Sequence, residues 1–122
     1  MFLKIARSPL HGRGCFATQE VPAGDVVARA KLLTFPPEQT ELLFQTNLKH
    51  YLFYLKDGDP AEGPFHTALA MGEISFCNHS DDPNCDFALD ETAAEITLVA
   101  RRDLEQNDEI TVDYGDWAKE II

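Results

Sequence analysis

The sequence predicts a mainly β fold of many short strands, with one or two short helices. Apolar and β-branched residues stand in short runs, and turn signals rich in Gly, Pro, Asn and Asp separate these runs along the whole chain. Helical spacing of apolar residues is limited to a short stretch after Thr40. At 122 residues the chain has room for one domain with a real core, residues 1–122, and no repeat or linker divides it.

The first predicted elements are strands joined by tight turns. Residues 2–7 form a short strand that Ser8-Pro9 ends. Residues 12–17 (Gly-Arg-Gly-Cys-Phe-Ala) formally fit the G-x-G-x-x-A dinucleotide fingerprint, but that fingerprint requires a helix, and Pro22 and Gly24 break any helix there. We therefore interpret the glycines as a hairpin turn whose backbone is open to close approach by a ligand.

The middle of the chain predicts three strands and one helix. Residues 26–33 form a strand with apolar residues on both faces at its start, and Pro36-Pro37 ends it. A short helix follows from Thr40, which is a suitable capping residue. Residues 51–55 are aromatic-rich and precede a strong turn signal, so they predict a strand, with residues 65–71 as its partner.

The remaining strands flank polar stretches. Ile74 and Phe76 predict a strand end that opens into an Asn-His-Ser sequence. Residues 85–89 and 95–101 predict a hairpin. Asn107 can adopt the left-handed conformation of the next turn, and residues 109–112 form an alternating strand.

The formal net charge of −11 is concentrated in the second half of the chain. Residues 1–56 carry seven basic and four acidic side chains, whereas residues 57–122 carry three basic and seventeen acidic ones. Nucleic acid is therefore not an expected partner, because phosphate binding needs positive charge. The acidic half either serves solubility or attracts a basic, lysine-rich polypeptide.

Compartment is predicted from the cysteines and from apolar runs. Three cysteines, an odd number without close pairing, favour a reducing compartment over a disulfide framework. No apolar run approaches the roughly 20 residues of a membrane span, and the N-terminus lacks the apolar region of a signal peptide. We therefore expect a cytoplasmic protein without a membrane partner.

Four motifs stand in a recognisable order: Gly12-Arg13-Gly14, Tyr51-Leu52-Phe53, then 76–80 (Phe-Cys-Asn-His-Ser) with Pro83-Asn84, and finally 109–115 (Glu-Ile-Thr-Val-Asp-Tyr-Gly). Together they resemble the SET domain, the β-rich fold of S-adenosylmethionine-dependent protein lysine methyltransferases. The last two motifs in tandem are highly specific, and the resemblance covers nearly all of the chain.

This resemblance implies a minimal single SET domain with a β-clip-like arrangement of several short sheets. It divides the chain into a SET-N part (about 1–36), a variable insert (about 37–70), a SET-C part (about 71–115) and a short tail (116–122). It also implies a C-terminal pseudoknot, in which the last strand passes through a loop made by the Asn-His segment.

The resemblance assigns residues to the site. It implies cofactor binding through the glycine turn, the Asn-His pair, and two C-terminal aromatic residues: His11, Gly12, Arg13, Gly14, Asn78, His79, Tyr114 and Trp117. It implies that Tyr114 is catalytic, beside Asn78, and that Tyr51 helps to wall the lysine channel.

The implied reaction needs a neutral lysine amine in line with an activated methyl group. Free lysine has a pKa of about 10.4 and is mostly protonated. A narrow apolar channel and the positive charge of the cofactor both favour the neutral amine, so no titrating base is required.

Other readings remain open at this level. The chain could be a SET-like binding module for a basic protein partner, without catalysis. Cys77, His79 and Cys85 could belong to a metal-binding interaction protein, although their spacing fits no common zinc pattern and we predict no metal site. Many SET enzymes close the lysine channel with a cysteine-rich segment that does not follow Tyr114 here, so a homodimer is one way to close it.

Overall fold

The computed structural model describes residues 2–55, 66–90 and 93–113. The strands in these ranges are β1 (Leu3–Arg7), β2 (Arg13–Ala17), β3 (Val26–Phe35), β4 (Leu52–Leu55), β5 (His66–Ala70), β6 (Asn78–His79), β7 (Cys85–Asp90), β8 (Glu95–Ala100) and β9 (Glu109–Val112). Helical structure consists of α1 (Thr40–Phe44) and 3-10 turns at Pro37–Gln39, Asn47–His50 and Glu73–Phe76. The prediction of a mainly β fold with few short helices is confirmed. No helix in the described ranges has the length and apolar character to cross a membrane.

The strands form two sheets. The first has the order β1-β2-β9-β6, and the second has the order β4-β5-β3-β8-β7. All pairs are antiparallel except β6 with β9, which run parallel. The first sheet therefore places β9 between the strand that follows the glycine turn and the strand that carries the Asn-His pair.

The core is built from alternating strand residues of both sheets. On β8, Ile96 and Leu98 are fully buried, while the residues between them are only partly buried. Val27 and Ala28 are both buried at the start of β3, as their apolar run predicted, and a register shift in the pairing with β8 lies at this point. Each fully buried aliphatic side chain stabilises the fold by about 1.5–3 kcal/mol.

The predicted hairpins and turns are largely confirmed. β1 pairs with β2 across the glycine turn, and the Ser8 amide donates to Gly12 O at 2.8 Å. Gly12 has φ = +50°, a left-handed conformation that favours glycine. Because a strand follows the turn, the dinucleotide fingerprint has no helix and is excluded. Asn107 is left-handed (φ = +73°), as predicted.

The predicted strand at Ile74 and Phe76 is wrong. These residues lie in a 3-10 turn, Glu73–Phe76, in which the Ser75 amide donates to Gly72 O at 3.3 Å. Gly72 has φ = +124°, so the chain leaves the extended direction just before this turn, and the Ser75 hydroxyl donates to Ala70 O. Ile74 and Phe76 have the alternating spacing of a strand, but that spacing also fits a turn. Only Ile74 is buried, as a turn allows.

The helix prediction is confirmed, but its cap is not. Gln39 occupies the capping position of α1 without a side-chain hydrogen bond, and Thr40 is the first helical residue. The reason is the 3-10 turn Pro37–Gln39, which already leads the chain into the helix. Residues 57–64, rich in Asp, Gly, Pro and Glu, are predicted from the sequence to form a loop, and they lie outside the described residues.

Candidate active site

β9 brings the Asn-His sequence and the motif that begins at Glu109 together. In the parallel pair, Asn78 lies opposite Thr111 and His79 lies opposite Val112. On its other side β9 pairs with β2, where Cys15 lies opposite Ile110. The Asn-His pair and the strand that follows the glycine turn are thus held one strand apart. The predicted approach of Tyr114 to Asn78 lies outside the described residues, as does Trp117.

Asn78 ties its own strand to the glycine turn. Its side chain is buried (8% exposed), and Nδ2 donates to His11 O at 3.1 Å and to Arg13 O at 3.2 Å. Nδ2 also lies 2.9 Å from Glu109 Oε2. The Nδ2 group of Asn78 therefore bonds to the protein itself, and it fixes the backbone on both sides of Gly12.

Ser8 and Glu109 form a second connection to the same turn. The Ser8 hydroxyl lies 2.8 Å from Glu109 Oε1 and 2.7 Å from Oε2, so it donates to the carboxylate. The same hydroxyl oxygen accepts from the amides of Leu10 (2.9 Å) and His11 (3.4 Å). Side chains 101 positions apart in the sequence thus hold the turn from inside.

Gly14 is a glycine because the space beside it is filled. An ideal Cβ at this position would lie 2.4 Å from Glu109 Oε2, 3.0 Å from Asn78 Nδ2 and 3.1 Å from Ser8 Cβ. The second glycine of the motif therefore lets β2 approach the polar side chains closely, whereas Gly12 supplies the turn conformation.

Asn84 fixes β9 from the other direction. Its Nδ2 donates to Glu109 O at 2.8 Å, and its Oδ1 accepts from the Thr111 amide at 2.9 Å. The Asn84 backbone amide also donates to Thr111 Oγ1 at 3.2 Å. The Asn84 side chain thus provides hydrogen-bond partners for the Glu109 carbonyl and the Thr111 amide, in the way that a neighbouring strand would.

His79 lies between two carboxylates. Its side chain is 14% exposed, with Nε2 2.9 Å from Asp81 Oδ1 and Nδ1 3.7 Å from Asp113 Oδ1. Asp113 directly follows β9 and directly precedes Tyr114 in the chain. The imidazole ring therefore contacts the segment that leads to the predicted catalytic tyrosine.

Tyr51 lies beside the turn that precedes Asn78. Its ring packs edge-on against Phe76, with ring centroids 5.5 Å apart. A small cavity of about 10 Å³, room for about one water, has Tyr51, Phe53, Ile74 and Cys77 among its lining residues. The structure thus brings Tyr51 and its aromatic neighbour close to the Asn-His strand.

The three cysteines are free and buried. A hydrogen bond with the Cys15 side chain and burial raise the pKa of the Cys77 thiol well above its usual value. Burial raises the pKa of Cys85 to about 12. Protonated, buried thiols are poor nucleophiles and poor metal ligands. Within the described ranges, no group of three or more His, Cys, Asp or Glu side chains is placed to hold a metal ion.

An open cleft of about 850 Å³ lies against the glycine turn. It is lined by Ile5, Ala6, Arg7, Ser8, Gly12 and Arg13. His11 and Arg13 are both exposed, so their side chains face solvent while their carbonyls accept from Asn78. The predicted site residues of the turn therefore form a connected set with Asn78.

Comparisons with known proteins agree with this arrangement. The family model of the SET domain matches residues 12–115. The chain belongs to the SET domain family. This match contains the glycine turn, the Asn-His pair and β9, so the predicted fold family is confirmed.

Several curated relatives carry names from one enzyme class. A histone-lysine N-methyltransferase of Schizosaccharomyces pombe, described as specific for H3 lysine-37, is 30% identical over 95% of this chain and 80% of the relative. A histone-lysine N-methyltransferase of Chaetomium globosum, described as H3 lysine-4 specific, is also 30% identical, but the chain spans only 11% of its length. The names of these SET relatives confirm the predicted enzyme class, protein-lysine methyltransferase.

A solved structure shows the same fold. A Plasmodium falciparum protein, named among the histone methyltransferases, matches with a TM-score of 0.72 over 93% of both chains, at 23% identity. The SET fold of this chain is thus supported by its strand topology, by the family model and by a solved relative.

Sequence reasoning gave no site role to three residues, Ser8, Asn84 and Glu109, although Asn84 and Glu109 stand within the quoted motifs. Ser8 was interpreted only as a strand end, although serine before proline is a frequent turn residue that bonds nearby amides. Glu109 opens a strand, where glutamate is disfavoured, and this was the available signal for a special role. Asn84 stood in a Pro-Asn turn, which did not indicate that its side chain would reach β9.

Proposed function

We propose that this protein transfers methyl groups from S-adenosylmethionine to lysine side chains of a basic protein substrate. The observation that carries this proposal is the convergence of the glycine turn and the Asn-His strand on β9. Asn78 bonds the carbonyls on both sides of Gly12, so the two predicted cofactor-binding segments form one surface. Membership of the SET family supports the same reaction.

The cleft beside the glycine turn supports a bound S-adenosylmethionine. Gly12 exposes backbone beside this open cleft, and Gly14 lets β2 approach the side chains that hold the turn. The residues that would hold the cofactor are therefore those of the turn together with Asn78 and His79. When bound, the cofactor supplies a methyl group that is already activated as a sulfonium.

The residues of this chain then orient the substrate amine and exclude water. Tyr51 and Phe76 offer aromatic faces beside the Asn-His strand, and such a wall disfavours a charged ammonium by desolvation. The amine enters the reaction in its neutral form without a titrating side chain. Tyr114, which follows Asp113, is assigned the catalytic position by its place in the motif.

The substrate class follows from charge and from the relatives. The second half of the chain carries seventeen acidic and three basic side chains, so a lysine-rich polypeptide is attracted to it. The relatives are named for lysines of histone H3, whose tail is a basic polypeptide of this kind. We therefore infer a histone-like or otherwise basic substrate.

A methyl-transfer assay with labelled S-adenosylmethionine tests the proposal. Purified protein is incubated with histone H3 and with a cell lysate, beside the Tyr114→Phe variant. We expect label on lysine with the wild-type protein, loss of transfer in Tyr114→Phe, and retained binding of S-adenosylhomocysteine by that variant in calorimetry. Full activity of Tyr114→Phe would remove the assigned catalytic role.

The same assay distinguishes the proposed enzyme from the alternative, a non-catalytic binding module. A protein that binds a basic tail but transfers no methyl group to histone or lysate would be a binding module with the SET fold. Calorimetric titration with the cofactor and with S-adenosylhomocysteine, with Asn78→Ala as control, then decides whether the cofactor pocket is retained. Loss of binding in Asn78→Ala is the expected result.

Two further predictions concern assembly and location. We propose a homodimer as one way to close the lysine channel, and light scattering across a concentration series measures the oligomeric state directly. Cytoplasmic location rests on the sequence alone, and imaging of a tagged full-length protein tests it.

A further inference from the structure

The Glu109 side chain hydrogen-bonds to both Ser8 and Asn78, the two side chains that hold the glycine turn. Its two carboxylate oxygens accept from the Ser8 hydroxyl at 2.8 and 2.7 Å, and Oε2 accepts from Asn78 Nδ2 at 2.9 Å. Ser8 in turn accepts from the amides of Leu10 and His11, and Asn78 donates to the carbonyls of His11 and Arg13. One carboxylate therefore orients the two side chains that together fix the backbone from residue 10 to residue 13.

Two donors point at the Glu109 carboxylate. The Ser8 oxygen accepts two amide protons, so its own proton points away from the turn, toward Glu109. Asn78 Nδ2 has two protons and three oxygens within hydrogen-bond distance, of which Glu109 Oε2 at 2.9 Å is the nearest. Hydrogen bonds to a carboxylate are stronger than those to a neutral acceptor. Gly14 leaves the space that Oε2 occupies.

The place of β9 does not depend on this side chain. The backbone of Glu109 pairs with β2 and accepts from Asn84 Nδ2 at 2.8 Å, and Thr111 is held by Asn84 Oδ1. The side chain can therefore be changed while the strand keeps its partners. Its contacts all lead to the turn, which is the segment assigned to the cofactor.

We propose that Glu109 is a positioning residue that holds the glycine turn in the shape that binds the cofactor, acting through Ser8 and Asn78. This inference rests on the proposed function, since it assumes that the turn binds S-adenosylmethionine. Glu109 itself touches no substrate in this scheme. Its loss is expected to raise the KM for the cofactor more than it lowers kcat at saturating cofactor.

The test compares Glu109→Ala, Glu109→Gln and Ser8→Ala with the wild-type protein. Glu105→Gln is the matched control, because Glu105 is exposed and its loss removes the same charge from the turn that precedes β9. We expect S-adenosylhomocysteine to bind about tenfold more weakly to Glu109→Ala, since charge-assisted hydrogen bonds are lost. Glu109→Gln keeps one acceptor oxygen and is expected to lie between wild type and Glu109→Ala. Ser8→Ala should weaken binding in the same direction with Glu109 intact.

A second readout follows the turn without any ligand. Amide hydrogen exchange at Leu10 and His11 should accelerate in Glu109→Ala and in Ser8→Ala, and should stay at the wild-type rate in Glu105→Gln. A role limited to general stability would instead accelerate exchange throughout the sheet.

The outcomes separate this inference from the proposed function. If the wild-type protein binds neither S-adenosylmethionine nor S-adenosylhomocysteine, the proposed function fails, and the cofactor part of this inference fails with it. If the wild type binds and a folded Glu109→Ala protein binds within twofold of it, the inference alone is overturned. Equal weakening in Glu105→Gln would also overturn it, because the effect would then be one of net charge.

Discussion

The space beside Gly14 is filled by neighbouring side chains of the site. An added Cβ would meet Glu109 Oε2 at 2.4 Å, so the carboxylate must move and lose its contacts to Ser8 and Asn78. We expect Gly14→Ala to lower the free energy of unfolding by about 1–3 kcal/mol, in the range of other overpacked positions, and to weaken cofactor binding. Urea unfolding and calorimetry measure the two effects.

The cause can be isolated with a double-mutant cycle. A Glu109→Ala background removes the nearest of the three atoms that crowd Gly14, so the added methyl should cost less than in the wild-type protein. Equal costs in both backgrounds would mean that the Asn78 and Ser8 side chains or the backbone, and not the carboxylate, exclude a side chain.

The buried thiol of Cys85 gives a pH-dependent prediction. Its pKa is raised from 9.0 to about 12 in the folded protein, so above pH 9 the unfolded chain loses this proton first. Stability from the protonated thiol is therefore complete below about pH 9 and is lost as the pH rises toward 12. We expect the free energy of unfolding, measured in urea at pH 8 to 11, to fall with pH. In Cys85→Ala the fall should be smaller, and an unchanged pH dependence in that variant would contradict the assignment.

At the level of single residues, the sequence predicted the site only where a motif is local. Gly12, Gly14, Asn78 and His79 lie in short motifs, and the structure adds that Asn78 hydrogen-bonds to the turn. The contact of Ser8 with Glu109 joins positions 101 residues apart, and no periodicity or local spacing contains that information. Such contacts depend on the register of β9, which only the folded chain defines.

Among the elements, β9 is held in place by the Asn84 side chain as well as by its neighbouring strands. We expect Asn84→Ala to lower the free energy of unfolding by about 2–3 kcal/mol, because two hydrogen bonds to the backbone of Glu109 and Thr111 are lost. Asn84→Asp keeps the acceptor for the Thr111 amide but lacks the donor to Glu109 O, so it should lie between wild type and Asn84→Ala. Denaturant unfolding of the three proteins tests this order.

Hydrogen exchange shows which backbone amide loses protection when Asn84 is replaced. The Thr111 amide, which donates to Asn84 Oδ1 at 2.9 Å, should exchange faster in Asn84→Ala than in Asn84→Asp. Equal exchange in the two variants would show that the strand ladder alone protects this amide.

Strands and hairpins could be predicted from the sequence where turn-forming residues mark their ends. Pro36 ends β3 at Phe35, and the β7–β8 hairpin appears where alternation and a polar turn predicted it. Two errors arose where local signals are ambiguous. The turn Glu73–Phe76 has the apolar spacing of a short strand, and the cap of α1 was displaced by a preceding 3-10 turn.

For the molecule as a whole, charge leads to a prediction about substrate. The net charge is −11, and screening shortens the range of such attraction to about 10 Å at 0.1 M salt. We expect kcat/KM for a basic histone tail to fall several-fold as salt is raised, because attraction to the acidic half is screened. Binding of S-adenosylhomocysteine, measured in the same salt series, is the control and should change much less. A salt-independent kcat/KM would argue against a basic substrate.

The fold class could be predicted from composition and turn spacing, but the topology could not. Short runs and turns indicate many strands without saying which ones pair. The parallel pairing of β6 with β9 joins a two-residue strand to a distant one, and neither composition nor turn spacing indicates it. The division into SET-N, insert and SET-C parts stays a prediction.

The position of β9 between β2 and β6 also governs when the site can exist during synthesis. Every contact that shapes the glycine turn through Glu109 joins an early segment to a late one, and such non-local contacts form slowly. The second sheet, with its β4–β5 and β7–β8 hairpins, can form from neighbouring segments first. A nascent chain in which β9 has not yet left the ribosome lacks the Glu109 carboxylate that bonds Ser8 and Asn78, and we expect it not to retain the cofactor.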